Sequence, residues 1–159
     1  DKDALRRYFT ISSDLFIRTL CLTFAFYWMT VLSARQGVVI LAANTMLFNL
    51  VHFASYVMDG YAHAVESLTG FAIGKRDPAM LKRSVSASTS LGALTAGVFS
   101  LFFWLLGIPI IELLVAEESA RQIAIDWLPW VIFAPLIGIW SFLLDGIFIG
   151  ATETKSMRN

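Results

Sequence analysis

Residues 38–73 read VVILAANTMLFNLVHFASYVMDGYAHAVESLTGFAI, an apolar run of 36 residues with few charges. A transmembrane helix needs about 20 mostly apolar residues. The run lacks the sustained apolar/polar alternation that a membrane strand would show. As one helix it would be about 54 Å long, against a hydrocarbon core of about 30 Å. It must therefore tilt, protrude or begin with an interfacial piece, and Gly37 is the predicted break before it.

Three further stretches are long and apolar enough to span a bilayer, at residues 15–34, 91–115 and 127–151. Hydrophobic residues make up 57% of the 159 and charged residues only 15%, whereas soluble domains have roughly a quarter charged. The sequence predicts an all-α polytopic membrane bundle of about four helices. The polar ends DKDALRRYF and KSMRN lead us to expect a segment of a larger transporter.

Basic residues alternate between the connections in the way that a four-span topology requires. Ten precede or open the first span, separate the second and third, or follow the fourth, and only Arg35 and Arg121 fall in the other connections. The positive-inside rule then predicts that both termini are cytoplasmic. The ten are Lys2, Arg6, Arg7, Arg18, Lys75, Arg76, Lys82, Arg83, Lys155 and Arg158.

Polar residues of the second span recur at helical spacing. At about 100° per residue they fall on one stripe roughly 80° wide, which we call the polar stripe: Thr45, His52, Tyr56, Asp59, His63, Glu66 and Gly70. Ionisable groups inside a membrane are costly and usually face a protein interior or a watery cavity. The stripe is therefore a candidate surface for binding a proton or a cationic substrate, with Asp59, His63 and Glu66 as its main members.

Structural interpretations of these residues stay open. Asp59 could pair with His63 one turn on, Glu66 could be hydrated near the cytoplasmic headgroups, and we interpret His52 as a core histidine. Asn44 and Asn49 could hydrogen-bond a neighbouring helix, which we favour, or a substrate.

Two further carboxylates lie outside the second span. Asp145 falls near the inner end of the fourth, where we expect a structural or gating role. At the start of the first, Asp14 and Arg18 have the spacing of a helical ion pair.

Small residues and prolines suggest how the helices pack. Gly92, Ala96 and Ser100 form a stripe that would let another helix approach closely. Pro135 should kink the fourth span and free a carbonyl group, and Pro129 is expected in its first turn.

No signature of catalysis is present. The sequence contains no nucleotide-binding, G-x-S-x-G or H-E-x-x-H motif. Two histidines and one cysteine, Cys21, give no closed set of metal ligands. We therefore expect neither an enzyme nor a bound cofactor, and the zero net charge does not favour a nucleic-acid partner.

Residues 43–77, ANTMLFNLVHFASYVMDGYAHAVESLTGFAIGKRD, resemble the eighth helix of multidrug and toxic compound extrusion (MATE) transporters, most closely the DinF-like branch. The matching residues are Asp59, Gly60, Ala62, Ala64, Glu66, Gly70 and Gly74. The ending LDGIFIGATETKSMRN resembles that branch's tenth helix and the loop after it. The resemblance implies that residues 1–159 are helices seven to ten of a twelve-helix fold, part of its C-terminal lobe, in a bacterial inner membrane.

The resemblance also implies a function. MATE proteins are antiporters that export cationic or amphiphilic compounds by alternating access, driven by protons or sodium ions. The proton site proposed for the DinF-like branch is an aspartate of the first helix, which is not in this chain. Other branches place cation-binding acids in the seventh and tenth helices, where this chain has only Asp14 and Asp145.

Two other functions remain as alternatives. A lipid-linked sugar flippase of the same superfamily would need a basic cavity, whereas the stripe is acidic. A non-transporting membrane scaffold would tolerate neutralisation of Asp59 and Glu66.

Overall fold

The computed structural model describes residues 2–151, with the side chains of residue 13 and of residues 16–151. The described chain consists of four long helices: α1 Lys2–Gln36, α2 Val38–Gly74, α3 Pro78–Leu114 and α4 Glu118–Gly150. No strand occurs among residues 2–151, so the predicted all-α class is confirmed. All four helices contain a segment long and apolar enough to cross a membrane.

The break between α1 and α2 lies at Gly37, as predicted. Gly37 has φ +121°, in the left-handed region that glycine adopts without strain. The second helix then runs unbroken to Gly74, so the described structure has no separate interfacial piece at its start.

The third helix begins earlier than its apolar stretch, at Pro78 rather than near residue 91. A local cap explains this start. The Asp77 carboxylate accepts a hydrogen bond from the Met80 amide at 2.9 Å, and Pro78 occupies the first turn, where its missing N–H costs nothing.

The fourth helix also begins early, at Glu118. The Arg121 side chain closes the turn before it, because Nε donates to the Val115 carbonyl at 3.2 Å and Nη1 binds the Glu118 carboxylate at 2.9 Å. Pro129 therefore lies in the interior of α4, and the prediction that it occupies the first turn was wrong.

Helix α4 packs against both α2 and α3. The predicted stripe of small residues on α3 faces α4. Gly92 and Ala96 are buried, and a Cβ at Gly92 would lie 3.0 Å from Ile139 Cδ1. Ser100 Oγ donates to the Ile132 carbonyl at 2.7 Å. Close approach through small residues is how helices associate in lipid, where the hydrophobic effect does not drive them together.

The packing partners also give the relative directions of the helices. Gly146 meets Ala62 and Gly150 meets Glu66, so α2 and α4 run parallel. Gly37 and residues 115–117 therefore lie at one end of the bundle, which we call the Gly37 end. The turn at residues 75–77 lies at the other, the Lys75 end.

Helix α1 is the least buried of the four. Ser33 is its one buried side chain among those described, at 3% exposed. Among the described residues, no Cα of α1 lies within 8 Å of a Cα of α3 or α4. Helix α1 is therefore attached along α2 and leaves much of its surface free.

Candidate functional site

The polar stripe lies on the face of α2 turned away from the packed core. The buried positions of α2, among them Ala54, Met58 and Val65, form the opposite face. In the stripe, the side chains of Tyr56 and His63 are 75% and 79% exposed. Within the described bundle, the polar groups of α2 are thus on a free surface.

Helix α1 covers the stripe at the Gly37 end. The His52 ring packs beside two aromatic rings, with its centroid 5.2 Å from that of Phe26 on α1 and 6.4 Å from that of Phe48. This placement agrees with the interpretation of His52 as a packed histidine.

A second contact between α1 and α2 is polar. Asn44 Nδ2 donates to Ser33 Oγ at 2.8 Å, and Ser33 Oγ donates to the Met29 carbonyl at 2.9 Å. Asn44 therefore makes the hydrogen bond to a neighbouring helix that we favoured, whereas Asn49 is exposed. Thr45 bonds the Leu41 carbonyl of its own helix.

Asp59, His63 and Glu66 follow towards the Lys75 end. His63 Nδ1 lies 3.4 Å from Glu66 Oε2, so in this structure the partner of His63 is Glu66 and not Asp59, the alternative left open above. Asp59 is exposed and has no hydrogen bond or ion pair with any side chain that the structure describes.

Arg18 has a partner that the sequence analysis did not predict. Arg18 Nη2 lies 2.5 Å from Asp145 Oδ2 of α4, and the side chain of Asp14 is outside the described residues. The Asp145 side chain is only 15% exposed and Arg18 is 40% exposed. This pair fits the structural or gating role expected for Asp145, and it connects the first and last helices.

The helix register brings Arg18, Asp59 and Asp145 to the same level. Ser33 lies opposite Asn44 and Phe26 opposite His52, so continuing the antiparallel register places Arg18 level with Asp59. The parallel register of α2 and α4, with Gly146 at Ala62, places Asp145 one turn or less from that level.

These groups form a charge cluster, which we define as Arg18, Asp59, Glu66 and Asp145. Asp59 and Glu66 lie within electrostatic range of Asp145. With three carboxylates and one guanidinium, the cluster carries two surplus negative charges when all its members are ionised. The described residues contain no group of three or more side chains placed to hold a metal ion. The cluster can therefore attract a cation without forming a closed coordination site.

A cleft of about 280 Å³ lies between α1, α2 and α4 nearer the Gly37 end. Its walls are mainly apolar and aromatic, and the one amide among them is Asn44. The lining residues are Met29, Asn44, Leu47, Phe48, Val51, Trp127, Trp130, Val131 and Ala134. The sequence analysis did not identify this cleft. The cleft and the charge cluster together line the same side of α2.

Two glycines allow α4 to carry Asp145 close to α2. A Cβ at Gly146 would collide with the Ala62 carbonyl and approach Val65 Cγ1 to 2.6 Å. A Cβ at Gly150 would collide with the Glu66 carbonyl. Backbone contact of this kind fixes the position of Asp145 relative to Glu66.

The Arg18–Asp145 pair was missed, although the sequence contains a signal for it. Arg18 is the one basic residue in the apolar stretch 15–34, and Asp145 is the one acidic residue in 127–151. Opposite charges within membrane helices usually pair. Applied across the chain rather than within one helix, this rule would have identified the pair.

Comparison with known proteins places these features in a family. Residues 15–157 match the family model described as MatE. The chain is 40% identical over 154 residues to DNA damage-inducible protein F of Escherichia coli (strain K12), a match that covers 97% of this chain and 34% of that protein. The chain thus spans about a third of the length of this curated relative. No solved structure matches the chain significantly. The family resemblance drawn from residues 43–77 and 144–159 is confirmed.

Proposed function

Because the chain belongs to the MatE family, we propose that it forms one wall of the substrate pathway of a secondary active transporter exporting cationic or amphiphilic compounds. The chain is a multi-pass membrane segment, since all four helices can span a bilayer. The remaining walls belong to parts of the transporter outside this chain, and the lipid bilayer surrounds it.

The acidic excess of the charge cluster is the observation that carries this proposal. The one guanidinium of the cluster is already paired with Asp145, which leaves Asp59 and Glu66 as surplus carboxylates on an otherwise apolar helix. Negative charge on an otherwise apolar, low-dielectric wall attracts positively charged ligands. The aromatic cleft beside it suits the apolar body of an amphiphile, since tryptophan rings bind cations and apolar groups.

We infer that the transport cycle alternates access from the two ends of the bundle. The Lys75 end carries the surplus of basic residues, so the positive-inside rule assigns it to the cytoplasm of a bacterial inner membrane. The driving ion is H⁺ or Na⁺. Either ion can occupy a carboxylate in exchange for a cationic substrate, because both compete for the same negative charge.

Neutralising the stripe tests the proposal in the intact protein. Asp59→Asn and Glu66→Gln are expected to reduce efflux of a cationic dye several-fold, because each removes one of two surplus charges. Efflux is measured from cells or proteoliposomes after confirming equal amounts in the membrane. Glu112→Gln is a matched control, because Glu112 is an exposed carboxylate near the other end of the bundle.

Undiminished dye efflux in both variants would remove the stripe from the mechanism and favour a scaffold. Efflux lost equally in Glu112→Gln would mean that total surface charge, rather than the stripe, attracts the dye. A preference for a pyrophosphate-linked lipid over cations would favour the flippase.

A further inference from the structure

Asp145 is a carboxylate whose surroundings call for a cation. It is the one acidic residue of the apolar stretch 127–151, and its side chain is 15% exposed. The α4 backbone next to it touches the α2 backbone, because Gly146 meets Ala62. An ionised carboxylate in such a place costs free energy unless an opposite charge lies close by. The fold therefore favours a cation at this position.

The chain supplies this cation itself. Arg18 Nη2 lies 2.5 Å from Asp145 Oδ2, and among the side chains that the structure describes no other basic group pairs with Asp145. A guanidinium stays protonated throughout the physiological pH range. Because it is tethered, it also meets Asp145 at a high effective concentration, whereas H⁺ or Na⁺ leaves for the solvent. Arg18 thus occupies the carboxylate against competition from ions in solution.

The other carboxylates of the charge cluster have no such partner among the described residues. Asp59 and Glu66 lie within electrostatic range of Asp145, and the contact of Glu66 is with His63 at 3.4 Å. Without the charge of Arg18, Asp145 would face two further negative charges on an apolar wall. Negative potential of this kind concentrates cations from solution. Removal of the guanidinium should therefore uncover a cation site that Arg18 keeps filled.

We propose that Arg18 is a resident cation, which fills a latent cation site at Asp145 and restricts the exchange of ions and substrate to Asp59 and Glu66. Arg18 is then a specificity-determining residue, since it removes one carboxylate from the competition between the driving ion and a cationic substrate. The inference rests on the proposed function, and it assigns the exchangeable charge to α2 rather than to α4. A purely structural tie between α1 and α4 would not depend on whether an ion can replace the guanidinium.

Cation binding to the intact protein tests the proposal without measuring transport. Beyond any response of the unmodified protein, Arg18→Gln should gain a site that Na⁺ fills, or H⁺ where Na⁺ is absent. Na⁺ in place of choline should raise its melting temperature by a few degrees, because a ligand that binds only the folded state stabilises it. In choline, infrared difference spectra should show a new protonated carboxyl band as the pH falls. Adding Asp145→Asn to Arg18→Gln should abolish both responses.

Three matched variants assign the new site to Asp145. Arg18→Lys retains a tethered positive charge, so it should gain neither response. Arg35→Gln removes one positive charge from the same helix, but Arg35 lies over the Trp28 ring, 6.0 Å from its centroid, so this variant should also gain none. Asp14→Asn added to Arg18→Gln should leave both responses in place, because the carboxylate that binds the cation is that of Asp145.

Dye efflux gives a second test, which does not require Arg18→Gln to fold as a single variant. Asp145→Asn leaves the guanidinium of Arg18 uncompensated, so the surplus negative charge of the cluster falls from two to one, and efflux of a cationic dye should fall several-fold. Adding Arg18→Gln returns the surplus to two, carried by Asp59 and Glu66, and should regain most of the lost efflux. A structural tie predicts no recovery, because the double variant lacks both ends of the tie.

A folded Arg18→Gln variant that gains no response to Na⁺ or pH would overturn the resident cation. Responses that persist in the double variant would overturn it too, since the new site would then lie elsewhere, and so would a double variant that regains none of the efflux lost by Asp145→Asn. Failure of the proposed function looks different: Asp59→Asn and Glu66→Gln would leave efflux unchanged although Arg18→Gln still gains the cation.

Discussion

Helices α1 and α4 are both long and apolar, yet they are held in the bundle by different means. Helix α4 is fixed by shape, with glycines that bring its backbone against α2 and small residues of α3 that accept its side chains. Helix α1 is fixed by polar and aromatic contacts at a few points. In lipid, steric fit gives a rigid unit, whereas isolated polar contacts can be exchanged for others. The comparison separates a core of α2, α3 and α4 held by steric fit from α1, which the described residues attach through fewer contacts.

The largest expected difference between core and α1 comes from removing a large side chain. Phe103 is fully buried in the core, at 0% exposed, and Phe103→Ala should lower the free energy of unfolding by roughly 2–4 kcal/mol, because a cavity remains. Phe24 of α1 is 60% exposed and stacks on Trp28. Phe24→Ala should cost less than about 1 kcal/mol. Unfolding in detergent or by steric trapping measures both, and equal losses would contradict a special role of the core.

Adding one methyl group sharpens the same comparison inside α2 and α4. Gly146→Ala should destabilise by roughly 1–3 kcal/mol, because the new Cβ meets the Ala62 carbonyl and neither backbone can yield easily. Gly60→Ala is the matched control, since no described atom lies within 4 Å of its Cβ position.

The control should be neutral or slightly stabilising, by up to about 1 kcal/mol, because alanine is the better helix former. A melting temperature that falls equally in both variants would show that glycine flexibility, rather than close approach, matters in these helices.

Sequence reasoning recovered the features of the core that depend on local pattern. The apolar runs, the glycine break at residue 37 and the small stripe at Gly92 are all properties of neighbouring residues, and each is found in the structure. Helices α3 and α4 begin before the apolar stretches that predict their spans, and these first turns are polar. Their helical state depends on the Asp77 cap and on the Arg121 side chain rather than on hydropathy.

The partners that were missed at the site have a different physical origin. Spacing within one helix suggests partners on that helix, whereas the partner that Arg18 has in the structure depends on distances between helices. Arg18 reaches Asp145 near the opposite end of the sequence, and His63 turns towards Glu66. The Arg18–Asp145 pairing depends on how α1, α2 and α4 pack against one another. The residue spacing within a single helix gives no information on that packing.

A smaller effect is expected where α1 is attached to α2. Asn44→Ala removes the donor to Ser33 Oγ and should cost about 0.6–1 kcal/mol, the range for a hydrogen bond between membrane helices. Ser33→Ala combined with Asn44→Ala should cost less than the two single losses added together, because both belong to one hydrogen bond.

In the Asn44→Ala variant, amide hydrogen exchange should show faster exchange mainly in α1, if α1 unfolds or separates independently of the other helices. Protection lost equally in α2, α3 and α4 would instead mean that α1 belongs to the same cooperative unit as the core.

The smallest expected effect on the free energy of unfolding comes from a core serine. Its replacement by alanine separates the contribution of a hydrogen bond from that of a small side chain. Ser100 donates to the Ile132 carbonyl on α4, next to the carbonyl of Val131, which cannot accept the usual helical bond from residue 135 because that residue is proline. Ser100→Ala keeps the side chain small, so α3 and α4 can approach as before, and only about 0.6 kcal/mol should be lost.

Ser90→Ala is the comparison, because Ser90 Oγ bonds the Ser86 carbonyl of its own helix and no other helix. Its free energy of unfolding should hardly change. If Ser100→Ala costs several times more than 0.6 kcal/mol, a polar bond and not shape holds α3 to α4, and the contrast between a core fixed by fit and an α1 fixed by polar contacts fails. If Ser100→Ala and Ser90→Ala have the same free energy of unfolding, the close packing of α4 against α3 depends on small residues alone. The contrast between a core held by fit and an α1 held by polar contacts then becomes sharper.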